Sequence, residues 1–258
     1  MRTSTSVIVL LMALMSAPSH TPPVAPADVR VTGSDDAPGT AIRADTVRPG
    51  RCSTAALERP DTAEAWVRVA MDWRAEAPGA WSNDSLRNEL LALGKADQDA
   101  REGITPGKLK DTTFGRRLML GDSLRSVRMN AILDRYGWPG KSMVGVAGAA
   151  AAFLLVQHSA ALGPRGLSLM QAAKPGEVSP ADLALVIDRQ RTSAGHPQVY
   201  GSQLDSSHSD VLQFFPIEAP LHVDERRATM GLPPLRPYAC MVATMYSAAV
   251  AMPDGVPR

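Results

Sequence analysis

An apolar stretch from Met143 to Val156 carries no polar side chain on any face and so limits the folds open to this chain. A helix that is apolar all round has to be buried on every side, in a protein core or in a membrane. A membrane span needs about 20 such residues, and this stretch is shorter. Gly145 and Gly148 would let neighbouring helices approach closely. We therefore predict a buried central helix over about residues 142–160.

The composition favours a helical core around this stretch. Hydrophobic residues make up 45% of the chain but aromatic residues only 5%, which favours helices over an aromatic-rich β-sandwich. The chain has 27 Lys and Arg against 26 Asp and Glu, a formal charge of +1. Such a balance provides no field that would attract nucleic acid. We expect a mainly α, single helical domain that does not bind nucleic acid.

The N-terminal sequence predicts export. Residues 7–15 are apolar and are followed by the small residues Ala17 and Ser19, as at a signal peptidase site. We predict a signal peptide over residues 1–19 and a secreted or extracytoplasmic protein, with no transmembrane segment in the mature chain. The alternatives are an uncleaved anchor or a start assigned in the wrong place.

The rest of the chain divides by composition. Residues 20–51 are rich in proline and glycine and contain no aromatic residue, which is typical of a disordered tether. The predicted mainly helical domain covers residues 52–252, and residues 253–258 form a tail. Helices are predicted over Asp61–Glu76, from Asn83 or Asp84, from Asp122 to Tyr136 with Leu124, Val127, Ala131 and Ile132 inward, over Ser179–Arg191, and once or twice between Val223 and Met252. Residues 198–203 and 211–217 are predicted as the two strands of a small β-hairpin.

One local motif resembles the nucleophile block of the GDSL esterases. Gly121-Asp122-Ser123-Leu124 matches the G-D-S-L motif of that block, and Asp205 and His208 match its downstream D-x-x-H spacing. In those enzymes the serine follows a core strand, whereas here no such strand precedes it and no repeated βα units occur. We therefore interpret Asp122 and Ser123 as residues that cap a helix.

Cysteine and histidine usage points to a disulfide and away from a metal. Cys52 and Cys240 lie at opposite ends of the predicted domain in an exported chain, which favours a disulfide between them. Two unpaired buried thiols are the alternative. The histidines are scattered, and no H-E-x-x-H or C-x-x-C motif occurs. We therefore predict neither a metal nor a cofactor.

Several polar residues stand where apolar ones are expected. Gln157 and His158 end the apolar helix, and Asp188 and Arg189 follow the apolar residues 183–187. A buried charge needs a partner. These residues are either separate caps and ion pairs or one polar pocket centred on His158. The pocket would comprise Asp97, Gln98, Arg101, Gln157, His158, Asp188, Arg189 and, from one face of the first predicted strand, Gln198, Tyr200 and Gln203.

A series of short motifs recurs in a characteristic order over about residues 84–238. The series is Asp97-Gln98-x-x-Arg101, Asp122, Tyr136-Gly137-Trp138-Pro139, Val144-Gly145, Gln157-His158-Ser159, Gly176-Glu177, Asp188-Arg189, Gln198–Gln203, Val223–Arg227, Gly231–Leu235 and Tyr238. This succession resembles the bacterial family catalogued as domain of unknown function 6624. Ser202 departs from the usual threonine but keeps the hydroxyl. The resemblance implies that Asp122 belongs to the family pattern and Ser123 does not, and it implies no reaction.

The polar residues are compatible with two functions. The first is a hydrolase or lyase without a cofactor, in which His158 acts as general base and a carboxylate such as Asp188 orients it. The second is a non-catalytic module of the cell envelope that recognises a carboxylate- or sugar-bearing ligand. Under either, we expect the partner to be a small molecule or an envelope component.

Overall fold

The computed structural model describes residues 45–53, 61, 64–77, 79–102, 111–205 and 211–256. Most of these residues are helical, which confirms the predicted mainly α fold with a small β region. The helices are α1 (Ala65–Arg74), α2 (Asp84–Arg101), α3 (Thr112–Tyr136), α4 (Lys141–Gln157), α5 (Gly163–Ala172), α6 (Pro180–Ser193), α7 (Val223–Thr229) and α8 (Leu235–Tyr246), with a 3-10 turn at Pro220–His222. The strands are β1 (Thr46–Val47), β2 (Leu204–Asp205), β3 (Val211–Phe214) and β4 (Ala249–Ala251).

The apolar stretch forms α4, which is the buried central helix that its composition predicts. Every residue from Ala151 to Gln157 is buried, and α4 packs against α2, α3, α5 and α6. Its first turn is interrupted at Gly145, where φ is 70°, a backbone conformation that glycine adopts without strain. The Arg87 guanidinium lies against this turn and donates to the carbonyl oxygen of Val144 at 2.7 Å.

Helix α3 begins earlier than its sequence pattern suggests. It starts at Thr112, where the Asp111 carboxylate accepts hydrogen bonds from the amides of Thr113 and Phe114. The predicted start at Asp122 is therefore wrong, because Asp111 is the residue that caps this helix. Asp122 and Ser123 lie in the middle of α3.

The inward face of α3 also differs from the prediction. Ile132 is buried as expected, but Leu124 is 66% exposed, Val127 is 73% exposed and Ala131 is exposed. Hydrophobic spacing identifies a helical stripe but does not say which stripe faces the protein. In α3 the buried stripe contains Met129, Ile132 and Leu133, and the other three residues predicted to be inward face outward.

Helix α5 was not predicted from the sequence. Its Gly166 is needed for packing, because a Cβ atom there would come within 2.3 Å of the Val156 Cγ1 atom of α4. Gly163 is buried at the start of the same helix. The helix therefore approaches α4 at a distance that larger residues would prevent.

The strands form one small sheet in the order β1-β4-β3-β2. β2 and β3 are antiparallel, as the predicted hairpin requires, whereas β3 and β4 are parallel and β1 pairs antiparallel with β4. The predicted strand at 198–203 is replaced by β2 and by a single bridge between Gln198 and Ile217. β1 lies within the predicted tether, so the ordered fold starts before Cys52, and the predicted signal peptide and tether residues 1–44 lie outside the described residues.

A second hydrophobic cluster joins the sheet to α8. It includes Leu204, Leu212, Tyr238 and Val250. Cys240 of α8 forms the predicted disulfide with Cys52, with Cα atoms 5.8 Å apart, so this pairing is confirmed. Within the described residues, no helix is both long and apolar enough to cross a membrane.

Candidate functional site

Charged side chains from three helices meet beside the central helix. α2 contributes Asp97 and Arg101, α3 contributes Asp122 and Arg125, and His158 follows the last residue of α4. We call these five residues the Asp97 cluster. Their side chains are between 1% (Asp97) and 13% (Asp122) exposed, so the cluster is almost removed from solvent.

The centre of the cluster is a hydrogen bond between a histidine and a carboxylate. Nδ1 of His158 lies 2.7 Å from Oδ2 of Asp97. The other oxygen, Oδ1, accepts a hydrogen bond from Nη1 of Arg101 at 2.7 Å. Gln98 donates its Nε2 to Asp97 Oδ2 at 3.0 Å. Asp97 is therefore fixed from three directions and in turn fixes the imidazole ring.

Asp122 links the two arginines of the Asp97 cluster. Its Oδ2 accepts from Nη2 of Arg101 at 2.8 Å, and its Oδ1 accepts from Nη2 of Arg125 at 2.6 Å. Nε of Arg125 also lies 3.5 Å from Oδ1 of Asp97. The cluster therefore pairs two carboxylates with two guanidinium groups, and any proton gained by His158 makes its net charge positive.

The surroundings keep Asp97 ionised. Burial alone raises the pKa of its carboxyl group, but the hydrogen bond with His158 and the positive charges of Arg101 and Arg125 outweigh burial and hold the pKa below its ordinary value. Asp97 is therefore a carboxylate at neutral pH. A carboxylate on Nδ1 holds the neutral ring with its proton on Nδ1 and makes Nε2 the basic nitrogen.

Two polar side chains at this site have atoms that make no hydrogen bond within the described part of the chain. They are Nε of Arg125 and both amide atoms of Gln157, the residue before His158. Gln157 is only 4% exposed. Buried polar atoms are almost always paired, and the described residues supply no hydrogen-bond partner for these atoms.

Asp188 belongs to a different network and does not orient His158. Its carboxylate accepts hydrogen bonds from the amides of Val199, Tyr200 and Ser202 and from the Ser202 hydroxyl, at 2.7–3.2 Å. Burial raises the pKa of Asp188, and these four donors partly offset the increase. The structure thus gives Asp97 the place beside His158 that the sequence analysis gave to Asp188. Asp188 instead ties α6 to the loop before β2.

The glutamines predicted for the pocket stabilise the same loop. Gln198 donates to the carbonyl oxygens of Gln203 and Phe215, and its own side-chain oxygen accepts from the amide of Gln203. Gln203 donates its side chain to the Ser202 hydroxyl at 2.9 Å. Tyr200 is half-buried and offers its amide to Asp188. The expected common face of a strand is therefore absent at Gln198, Tyr200 and Gln203.

Two further arginines, Arg189 and Arg227, lie close to these networks, and Arg227 is buried. Burial, followed by the charge of Arg101, lowers the pKa of Arg189 to about 10. Arg227, which sequence reasoning missed, is 1% exposed. It donates to the carbonyl oxygens of Pro233 and Tyr200, and its guanidinium lies 4.6 Å from the ring centroid of Tyr238. Arg227 could not be found from the sequence, because its motif Asp-Glu-Arg-Arg resembles a solvated helix face.

The esterase-like serine follows Asp122 in α3 but takes no part in the hydrogen bonds of the Asp97 cluster. Ser123 is exposed on α3, and its hydroxyl donates to the carbonyl oxygen of Met119 at 2.9 Å. It therefore has the environment of an ordinary helix-surface serine, although it is not a cap. The histidine of the downstream spacing, His208, lies outside the described residues.

Asp182 is a buried acid apart from both networks, in the first turn of α6. It is 3% exposed. Burial raises its pKa to about 8, although the charge of Arg74 and a hydrogen bond from Ser179 act in the opposite direction. Asp182 is therefore protonated in the folded protein at neutral pH.

This titration predicts a pH-dependent gain in stability for Asp182→Asn. Because the folded pKa of about 8 lies above the unfolded value of 3.8, the folded state binds more protons in this window, and its stability falls as the pH rises through it. The fall is at most about 1.4 kcal/mol per pH unit. We expect urea unfolding at several pH values to show that the free energy of unfolding of the variant increases relative to that of the wild type as the pH rises. Asp99→Asn, at an exposed site, is the control, and a parallel pH profile for Asp182→Asn would contradict the prediction.

The fold and the Asp97 cluster together define a mainly helical domain with a buried site of histidine, carboxylates and arginines. Across the described ranges, no group of three or more His, Cys, Asp or Glu side chains is arranged to hold a metal ion. The chain belongs to a family of unknown function, DUF6624, which matches residues 84–251. No curated protein and no solved structure matches the chain.

Proposed function

We propose that this protein is a hydrolase or lyase without a cofactor, in which His158 acts as general base. The hydrogen bond of 2.7 Å between His158 Nδ1 and the buried carboxylate of Asp97 carries the proposal. An ionised carboxylate on Nδ1 raises the basicity of Nε2 and stabilises the imidazolium that forms when Nε2 accepts a proton. In a hydrolysis, Nε2 would take a proton from the attacking water and return it to the leaving group.

The other residues of the Asp97 cluster support this chemistry. Arg101 and Asp122 hold Asp97 and Arg125 in place, so the site is already organised before any ligand binds. The Gln157 amide makes no hydrogen bond to the described residues, which supports binding of a polar part of the substrate beside His158. Positioned donors of this type stabilise negative charge that develops on an oxygen during acyl transfer or elimination.

Replacement of His158 tests the proposal. We expect His158→Gln to lose at least about 100-fold in turnover of a panel of fluorogenic esters, amides and glycosides, because general-base catalysis contributes about 10² to 10⁴. His222→Gln is the matched control: His222 also pairs with an acid, Glu225 at 3.2 Å, but on the surface. It should retain full activity.

Thermal melts of both variants separate catalysis from stability. A buried structural histidine should cost more than about ten degrees in a domain of this size. Such a drop for His158→Gln, or unchanged turnover, would contradict the proposal. Ser123→Ala should be neutral in both assays, and covalent labelling of Ser123 by a fluorophosphonate would favour an esterase instead.

A non-catalytic binding module is the second candidate. The Gln157 amide, which makes no hydrogen bond to the described residues, and Nε of Arg125, which lies 3.5 Å from Asp97 Oδ1, are donors of the kind that recognise a carboxylate or a sugar. In this case a carboxylate and sugar library should raise the melting temperature of the wild type without turnover. Arg125→Lys should lose the shift, since Lys lacks the Nε–H donor. Arg128→Lys, on the exposed side of α3 with Glu89 as partner, should keep it.

We propose that the protein works outside the cytoplasm, as a secreted or envelope component. The disulfide between Cys52 and Cys240 supports this location, because disulfides persist in oxidising compartments. The apolar residues 7–15 with small residues after them support cleavage of a signal peptide near residue 19. Mass measurement of the protein recovered from culture medium or periplasm would test both points.

A further inference from the structure

Helix α3 has two faces with opposite roles. Its inner face carries Asp122 and Arg125 of the Asp97 cluster. Its outer face carries Leu120, which is 63% exposed, together with Leu124 and Val127 at 66% and 73%. Ala131, also exposed, continues the same line. The spacing of four, three and four residues places these side chains in one stripe along the helix.

Such a stripe differs from scattered surface hydrophobics. Single exposed apolar residues are common and need no explanation, but a contiguous apolar line on a helix marks an interaction surface. A charged residue lies at each end of this stripe. Arg117 lies one turn before Leu120 and Asp134 lies one turn after Ala131, and both residues are exposed.

The stripe is complementary to a reversed copy of itself. If two α3 helices pack antiparallel about a two-fold axis near Arg125 and Ser126, Leu124 faces Val127 of the second copy and Leu120 faces its Ala131. Large side chains then oppose smaller ones. Arg117 faces Asp134 of the second copy at each end, which gives two intermolecular ion pairs. A parallel arrangement would instead oppose like charges at both ends.

From this pattern we propose that a second copy of the chain docks on the outer face of α3, forming an antiparallel homodimer. Residues 117, 120, 124, 127, 131 and 134 occupy the positions of a heptad seam, and a self-complementary patch is what a two-fold interface requires. Asp134 already pairs with Nη2 of Arg165 at 2.7 Å and remains 60% exposed, so it can accept a second cation.

A single pair of helices gives a small interface. Interfaces below about 1,200 Å² are typically weak and reversible, so the dimer should depend on protein concentration. The interface would lie behind the Asp97 cluster, on the opposite side of the same helix, and it would leave the inner face unchanged. The dimer proposal is therefore independent of the proposed function.

Sedimentation equilibrium of the full chain over a wide concentration range tests the dimer. We expect a reversible monomer–dimer equilibrium, and Leu124→Glu should raise the dissociation constant at least tenfold. Leu221→Glu is the matched control, because Leu221 is 65% exposed but lies on the 3-10 turn, away from α3. It should leave the equilibrium unchanged.

A charge exchange tests the register. Arg117→Asp and Asp134→Arg should each weaken the dimer, and the double variant should restore it. A protein that is monomeric at every concentration, or a dimer unaffected by Leu124→Glu, would overturn the proposal. Weakening without rescue in the double variant would overturn the antiparallel register.

Discussion

Asp97→Asn is expected to lower the free energy of unfolding by about 3 to 5 kcal/mol, the usual cost of removing one member of a buried ion pair. The neutral amide cannot balance Arg101, which lies 2.7 Å from Oδ1 and is 8% exposed. It also leaves His158 without its carboxylate. Thermal or urea unfolding would measure the loss, and in a domain of this size the melting temperature should fall by roughly ten degrees.

Asp99→Asn is the matched control for this change. Asp99 lies on the same helix and forms an ion pair with Lys95, but both side chains are more than half exposed. Such pairs contribute less than about 1 kcal/mol. Asp97→Asn within 1 kcal/mol of the wild type would contradict the buried network described here.

The pH dependence gives an independent check of Asp97. Its folded pKa lies below the unfolded value of 3.8, so the unfolded state binds the proton more readily. The stability from Asp97 is therefore present above pH 3.8 and is lost as the pH falls through the folded pKa. Asp97→Asn should flatten this acid limb of the stability profile.

Loss of the disulfide should have an effect of similar size. Cys52 and Cys240 are 188 residues apart, and closing so long a loop contributes up to about 5 kcal/mol in the chain-entropy model, although measured gains are often smaller. We expect the double variant Cys52→Ser, Cys240→Ser to melt well below the oxidised wild type. Reducing agent should destabilise the wild type and leave the double variant unchanged.

Thiol titration checks the premise of that prediction. The denatured, non-reduced protein should contain no reactive thiol. Two titratable thiols in that sample would show that the cysteines are unpaired in solution.

The parts of the fold that sequence could predict depend on strong local signals. Burial of α4 follows from its composition alone, and Asn83 and Ser179 cap α2 and α6 as expected. Periodicity could not give the orientation of α3, because that helix carries two apolar stripes, one with Leu124 and Val127 and one with Met129 and Leu133. The second stripe faces inward together with Asp122, for which Arg101 of another helix supplies a partner.

The candidate site was predicted only in part for a similar reason. Asp97, Gln98, Arg101 and His158 were all identified and do lie together. Arg125 was missed, although its position three residues after Asp122 is a usable signal for a shared helix face. Which carboxylate serves His158 depends on tertiary packing, and no spacing in the sequence could distinguish Asp97 from Asp188.

The pairing of β1 with β4 and the disulfide together determine how the domain carries mechanical load. The amide of Met252 donates to the carbonyl oxygen of Asp45, and Thr46 pairs with Ala251. Force applied to the two ends of the domain separates the residue pairs of β1 and β4 one after another, because the two strands are antiparallel. Tension then reaches the bond between Cys52 and Cys240. While that bond is intact it carries the covalent load, so the chain between the two cysteines, which includes the Asp97 cluster, is not stretched end to end.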